Sequence, residues 1–120
     1  MPTRTEYGKI VPYTTKDGSV IRELMHPGIH GSKEQSLAEA LVPPDTSTLR
    51  HRHLRSEELY HVVSGAGAMV LGDEEFIIKP RDTVCIPPGT PHMLRNTGQV
   101  PLKVLCCCSP PYSHTDTELL

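Results

Sequence analysis

Tryptophan is missing from this chain, and one phenylalanine and four tyrosines make up its whole aromatic content. At 4% of the residues, aromatic side chains are too few for us to expect a pocket built as an aromatic cage. An excess of basic charge is also missing, because 12 Lys and Arg face 14 Asp and Glu and leave a net charge of −2. Nucleic-acid binding needs a concentrated basic surface, so no nucleic-acid partner is expected.

Long apolar runs are absent as well. Nothing in the sequence approaches the roughly 18 consecutive apolar residues that indicate a membrane span, so no membrane partner is expected. The opening residues, MPTRTE, are not followed by the apolar segment of a secretory signal. We therefore expect a cytoplasmic protein.

The cysteines lack the spacing of a metal or disulfide framework. Cys106, Cys107 and Cys108 are consecutive, and Cys85 stands apart. Neighbours in a strand point to opposite faces, which argues against disulfides, and no C-x-x-C pair of a zinc site occurs. We interpret the cysteines as small, partly buried side chains of a strand.

No amphipathic helix of three turns is visible. Twelve prolines and nine glycines separate short runs rich in β-branched residues, which is typical of an all-β protein. We predict nine or ten short strands, within 9–13, 20–25, 36–42, 48–53, 58–63, 68–71, 75–78, 83–86, 92–96 and 101–108. This pattern favours a sandwich or barrel in a single domain over residues 1–120, with an N-terminal arm at 1–13 and a polar surface tail at 109–120.

Two histidines stand two positions apart in one predicted strand. His51 and His53 therefore point to the same face. Glu58 follows shortly, and the proline- and glycine-rich turn at 87–91 could aim a third histidine, His92, back at this pair. Imidazoles that converge with a carboxylate are a donor set for a transition metal.

The same residues fall in two motifs that resemble the signature motifs of the cupin superfamily. The first runs H-x-H, three or four residues, E, six residues, G, and His51, His53, Glu58 and Gly65 satisfy it. The second, P-x-G-x-x-H-x-x-x-N, matches residues 87–96 at every position. About fifteen residues lie between Gly65 and position 81, which is the compact spacing of small, single-domain bacterial cupins.

The match to these motifs is not complete. Glu57 is the alternative acid, but it leaves seven residues before Gly65 where the motif has six, so we choose Glu58. Asp45 and Arg81 stand where the family usually has a glycine that leads each motif. Asp adopts the left-handed conformation of such a turn at modest cost, and Arg does so less readily.

The resemblance implies a double-stranded β-helix, the jelly-roll cupin barrel, with one divalent metal ion inside. By carry-over, His51, His53, Glu58 and His92 are the expected metal ligands. Three neutral imidazoles and one carboxylate suit Mn, Fe, Co, Ni or Zn and do not distinguish among them. Coordination positions left open would let the ion act on a bound molecule as a Lewis acid or a redox centre.

Two functions are compatible with this site. One is a metalloenzyme of the dioxygenase, decarboxylase, lyase or isomerase type that acts on a small organic molecule; the alternative is a non-catalytic, metal-dependent binding or sensing module. Tyr60, on the same predicted face as Glu58, is the candidate catalytic residue, as proton donor or substrate contact, with simple packing as the alternative. A homodimer is expected, because small cupins pair through their sheets and a free arm could add a strand to a neighbour.

Four further polar residues are weaker candidates for a functional site. Arg22 could reach an anionic ligand, although a solvated position on its strand is the alternative. His26 and His30 lie in a predicted loop and are interpreted as exposed side chains. His61 should point away from Glu58 along its strand, so we do not expect it to bind metal.

Overall fold

The computed structural model describes residues 2–120 of the chain. Two short 3₁₀ turns, Tyr7–Lys9 and His114–Asp116, accompany the strands of this part of the chain. The strands are β1 Tyr13–Thr14, β2 Val20–Met25, β3 Ser36–Val42, β4 His51–His53, β5 Glu57–Ser64, β6 Gly67–Leu71, β7 Glu74–Ile78, β8 Thr83–Ile86, β9 His92–Asn96, β10 Leu102–Ser109 and β11 Thr117–Leu119. No helix among the described residues is long and apolar enough to cross a membrane.

The strands form two antiparallel sheets, which confirms the predicted all-β jelly roll. One has the order β1-β2-β3-β10-β5-β8 and the other the order β11-β4-β9-β6-β7. Each sheet has one apolar face, and the two faces bury each other across the interior. The expected barrel is not closed, because within residues 2–120 the two sheets remain separately hydrogen-bonded.

Strand alternation determines which side chains reach the interior. On β5, Glu58, Tyr60 and Val62 are buried and Leu59 is exposed, as the sequence pattern predicts. On β10, Cys106 and Cys108 point inward with Leu102 and Val104, and Cys107 lies between them on the other face. All four cysteines are free thiols, in agreement with the prediction of no disulfide framework.

Three turns have backbone conformations that L side chains rarely adopt. Asp45 and Arg81, which replace the glycines usual in the family, have φ angles of 61° and 77°. The predicted left-handed turns therefore form without glycine. At Gly65, with φ of 89°, a Cβ atom would lie 2.7 Å from the carbonyl oxygen of Pro101, so this motif glycine is required by space as well as by conformation.

Both ends of the chain pack on the sheets more closely than the sequence indicates. The expected free arm is attached to its own sheet, because β1 pairs with β2 and the Thr5 hydroxyl donates to the carbonyl of Leu24 at 2.7 Å. In place of the expected surface tail, β11 pairs with β4 along its whole length. Without β11, β4 would be the edge of its sheet and would have unpaired backbone groups, which the C-terminal segment satisfies.

Candidate metal centre

The register between β4 and β9 brings the three predicted histidines together. His51 lies directly opposite His92, and their ring centroids are 4.3 Å apart. His53 shares the face of His51, and one ligand nitrogen from each of the three rings lies within 4.8 Å of the others. A shift of one residue in this register would turn His92 to the opposite face. All three side chains are buried.

Backbone carbonyls determine the tautomers of two of these rings. The Nδ1 of His51 is 2.8 Å from the carbonyl oxygen of Leu49, and the Nδ1 of His92 is 2.9 Å from that of Thr90. A carbonyl only accepts, so each Nδ1 carries the proton and donates it. The Nε2 of each neutral ring therefore has a lone pair free to bind a cation.

The third ring, His53, is oriented by the C-terminal strand. Its Nδ1 lies 3.0 Å from the hydroxyl oxygen of Thr117, and that hydroxyl donates its own proton to the carbonyl of Ser113 at 2.8 Å. The Thr117 oxygen therefore accepts from Nδ1 of His53, which leaves Nε2 unprotonated in the neutral ring. All three imidazoles thus have the same tautomer.

Glu58 reaches the histidines from the opposite sheet. Its Oε1 lies 3.1 Å from Nε2 of His53 and 3.4 Å from Nε2 of His92, while its Oε2 accepts from the Cys108 thiol at 3.3 Å. Oε1 of Glu58 and Nε2 of His92 are buried, and neither makes a hydrogen bond within the part of the chain described. Two buried acceptors without a hydrogen-bond donor need a cation or a proton that they can share. The residues present therefore fit a metal ion.

The electrostatics agree with a negative Glu58. Burial raises the pKa of this carboxyl, but the nearby His53 and His92 outweigh burial and lower the pKa to about 2. Burial lowers the pKa of His53, and Glu58 more than reverses that effect. Burial also lowers the pKa of His51, which favours its neutral form. A proton shared with His53 can thus satisfy Glu58 without a metal, and metal binding would displace it.

A small cavity opens beside this cluster. Its volume is about 50 Å³, enough for a few water-sized groups, and Tyr60 forms part of its wall. The Tyr60 ring stands edge-on to His92 with centroids 5.8 Å apart, and burial raises the pKa of its hydroxyl. Tyr60 is therefore a protonated, inward-facing side chain next to the candidate centre.

Other candidates lie away from the cluster. Arg22 is on the outer face of its sheet, where it pairs with Glu39 at 3.5 Å and does not line the cavity, so the idea that it contacts an anionic ligand there is wrong. His61 points outward as predicted, and its Nδ1 contacts the Thr83 hydroxyl at 2.8 Å. His26 bonds through Nε2 to the carbonyl of Tyr112, outside the histidine cluster.

Sequence reasoning missed three residues around the cavity: Asp17, Glu23 and Thr117. Asp17 sits in a predicted turn, and its Oδ2 lies 3.6 Å from Nε2 of His51. Glu23 could have been found, since strand alternation places it on the same face as the apolar Ile21. Nothing in the local sequence around Thr117 indicates a contact with a histidine 64 positions earlier.

Comparison with known proteins agrees with this architecture. The family model for the cupin domain matches residues 38–108. An uncharacterised protein of Methanocaldococcus jannaschii is 58% identical over 117 residues, which cover 98% of this chain and 94% of that protein.

Two solved structures share the fold at low sequence identity. Oxalate decarboxylase of Lactobacillus farciminis, in a formate complex, aligns over 94% of this chain with a TM-score of 0.82 and 19% identity. The aligned part is 34% of that enzyme, so this chain spans about a third of its length. The polyketide cyclase RemF of Streptomyces resistomycificus aligns over 92% of this chain and 80% of its own, with a TM-score of 0.79 and 22% identity. From the domain match, which covers more than half of the chain, we conclude that this chain belongs to the cupin family.

Proposed function

We propose that this protein is a metal-dependent cupin enzyme that acts on a small organic molecule. His51, His53, His92 and Glu58 hold one divalent transition metal ion in this proposal. Oxalate decarboxylase and the polyketide cyclase RemF, both enzymes, have the same fold. That likeness supports a small-molecule role in general and no particular reaction.

One observation carries the proposal. Three imidazoles keep their protons on Nδ1 and turn Nε2 toward a single point, next to a buried carboxylate oxygen that has no hydrogen-bond donor. Without a cation, these lone pairs repel one another in an interior where water cannot screen them. Histidines that merely packed in a core would be expected to use both ring nitrogens in hydrogen bonds.

A bound ion would supply Lewis acidity or redox chemistry, and the protein would supply orientation. The Leu49 and Thr90 carbonyls and the Thr117 hydroxyl hold the imidazoles in one tautomer. Tyr60 lines the same cavity, and in this proposal its hydroxyl contacts the bound molecule. The small cavity volume favours a compact reacting group over a bulky one.

Elemental analysis of protein purified without added metal or a histidine tag tests the metal. We expect close to one equivalent of Mn, Fe, Co, Ni or Zn, which the double variant His51→Ala/His53→Ala loses while its far-UV circular dichroism stays the same. No metal in the wild-type protein, and none taken up on reconstitution, would leave a sandwich whose histidines only pack or bind ligand, and the proposal would be wrong.

Turnover is tested separately on the loaded protein. Mixtures of small hydroxy, keto and amide compounds are incubated with it, and their NMR signals are followed with and without oxygen. A compound consumed by the wild type and untouched by the double variant supports an enzyme. Compounds that bind to the loaded protein and are never consumed would instead support the alternative, a binding or sensing module.

We also propose that each chain is one cupin domain and that two chains form a homodimer in the cytoplasm. The outer face of the six-stranded sheet has a row of apolar and thiol side chains across four neighbouring strands, formed by Leu37, Cys107, Leu59 and Cys85. Leu37 and Leu59 are 37% and 41% exposed, so the row is available to a second copy. Sedimentation should give twice the 13.3 kDa chain mass, and Leu59→Arg should give the monomer. A wild-type monomer at micromolar concentration would contradict the dimer.

A further inference from the structure

The cavity beside the candidate metal centre is lined by three carboxylates, two of which lie close to the histidines. Asp17 and Glu23 line it together with Glu58, and its described lining includes no lysine or arginine. Counting formal charges, a divalent ion and three carboxylates leave the cavity at −1. Glu58 alone would have left it at +1. The two acids that the motifs do not contain therefore reverse the sign of the site.

The two additional acids differ in how far the protein already satisfies them. Asp17 accepts through Oδ1 from the backbone N–H of Ser19 at 2.9 Å, the Ser19 hydroxyl at 2.6 Å and the Thr15 hydroxyl at 2.7 Å. Its Oδ2 lies near His51, at 3.6 Å from Nε2. Asp17 is therefore a fixed charge beside the histidines, held by its own loop.

Only one of the two carboxylate oxygens of Glu23 has a hydrogen-bond donor in the described part of the chain. It is 6% exposed, and its Oε1 accepts from the Tyr13 hydroxyl at 2.9 Å. Its Oε2 is buried and accepts no hydrogen bond from any residue within 2–120. An ionised oxygen left buried without a donor destabilises the folded protein, unless a ligand or water supplies that donor.

Glu23 also lies between two cavities. With Tyr112 it lines both the inner cavity and an outer cavity of about 400 Å³, whose other walls include Tyr13, His26 and His114. A molecule in the outer cavity that extends toward the histidines meets these two side chains. Glu23, whose Oε2 has no donor among the described residues, therefore lies on the path of a molecule that reaches from the outer cavity into the inner one.

We propose that the cavity takes a neutral or cationic small molecule that donates a hydroxyl, amide or ammonium hydrogen to Oε2 of Glu23, and that it discriminates against small carboxylates. This inference rests on the proposed metal-dependent function and names its substrate class. A small carboxylate would meet the charges of Asp17 and Glu23 with no guanidinium or ammonium on the cavity wall to compensate. The substrate class therefore differs from oxalate, the substrate named for the decarboxylase of the same fold.

Glycolamide and glycolate form a matched pair of probes, since they have the same size and differ by an amide in place of a carboxylate. Each is titrated into protein loaded with Co²⁺, and binding is followed by the visible absorption of the ion. We expect the wild type to prefer glycolamide. In Glu23→Gln, which keeps the shape and removes the charge, the ratio of glycolamide to glycolate affinity should fall at least tenfold. Glu57→Gln, on the opposite face of β5, should leave the ratio unchanged.

Metal content is measured on every variant, which separates this inference from the proposed function. If the wild type holds no metal, the proposed function fails and this inference fails with it. If metal content is normal but glycolate binds as tightly as glycolamide, or glycolamide does not bind, only the inference is overturned. An unchanged affinity ratio in a folded, metal-loaded Glu23→Gln also overturns it. If that variant does not fold, the relative affinity of the wild type for glycolamide and glycolate alone decides whether the inference stands.

Discussion

The two walls of the interior cavity are built in different ways. On the histidine wall, His51 and His92 each donate to a carbonyl two residues earlier in the chain, so short segments carry both the ligand and its orienting partner. On the carboxylate wall, Glu58 and Glu23 come from separate strands of the other sheet, and each has a buried oxygen without a donor. The imidazoles are thus oriented mainly by local hydrogen bonds, while both walls still have buried polar atoms without a partner within residues 2–120, since Nε2 of His92 is also unsatisfied.

The carboxylate wall therefore serves both proposed roles, because Glu58 holds the metal ion with the histidines and Glu23 contacts the bound molecule. Short motifs with local hydrogen bonds hold their geometry whenever the strands pair in register. Unsatisfied carboxylates on the other wall cost stability in the folded protein, which is a common property of functional sites. His53 is an exception on the histidine wall, because its partner Thr117 comes from the opposite end of the chain.

The largest expected effect is on metal content, from breaking the histidine wall. His92→Ala should remove most of the bound metal, because a lost ligand opens the site to water. His61→Ala is the matched control, since that ring lies on the outer face of β5, where its Nδ1 contacts the Thr83 hydroxyl. Elemental analysis measures both, with circular dichroism to check folding. Equal loss of metal from both variants would mean that the faces are assigned wrongly.

A smaller loss of metal affinity is expected when Thr117, the hydrogen-bond partner of His53, is substituted. Thr117→Val keeps the shape of the side chain and removes the acceptor for Nδ1 of His53, so metal affinity should fall about 10- to 100-fold. Thr83→Val removes a hydroxyl at 2.8 Å from Nδ1 of His61 and should leave the affinity unchanged. Competition with a chromogenic chelator gives both values. If Thr117→Val binds metal as the wild type does, the His53 tautomer does not depend on β11.

The smallest expected effect is on the free energy of unfolding, from a substitution in the turn before β8. Arg81→Gly should raise the free energy of unfolding by about 0.5 kcal/mol, because the φ of 77° strains arginine and the entropy cost of glycine offsets part of the relief. Metal content should not change, since Arg81 does not line the cavity. Urea unfolding at matched metal loading measures the difference. A destabilised variant would show that the arginine side chain contributes more than its backbone strain costs.

Much of the candidate metal centre could be predicted from the sequence. The pair His51 and His53 follows from strand alternation, and spacing to Gly65 together with the buried face of β5 selects Glu58 over Glu57. His92 was predicted from its position after a proline- and glycine-rich turn, and β9 does bring it opposite His51. These predictions succeed because each depends on a segment of a few residues whose geometry is nearly independent of the rest.

The position of Glu23 on the carboxylate wall could not be predicted in the same way. Alternation places Glu23 on the face of Ile21, but it does not say which strands that face will meet across the interior. The C-terminal residues also follow no strong pattern of their own, and β11 forms because β4 is an edge that a neighbouring segment can extend. The arm at residues 1–13 is attached through β1 at its end and through the contact of Thr5 with Leu24, which no local spacing indicates.

The sequence by itself determined the all-β class, the cupin motifs, the inward faces of β5 and β10, and the histidines that meet in the centre. These are properties of period-two alternation and of short spacings, which a strand carries wherever it lies. Only the tertiary structure decided that Asp17 and Glu23 line the same cavity, that Thr117 orients His53, and that the two sheets stay open. Those features depend on how separate sheets pack and on which edges remain unpaired, and no local pattern encodes either.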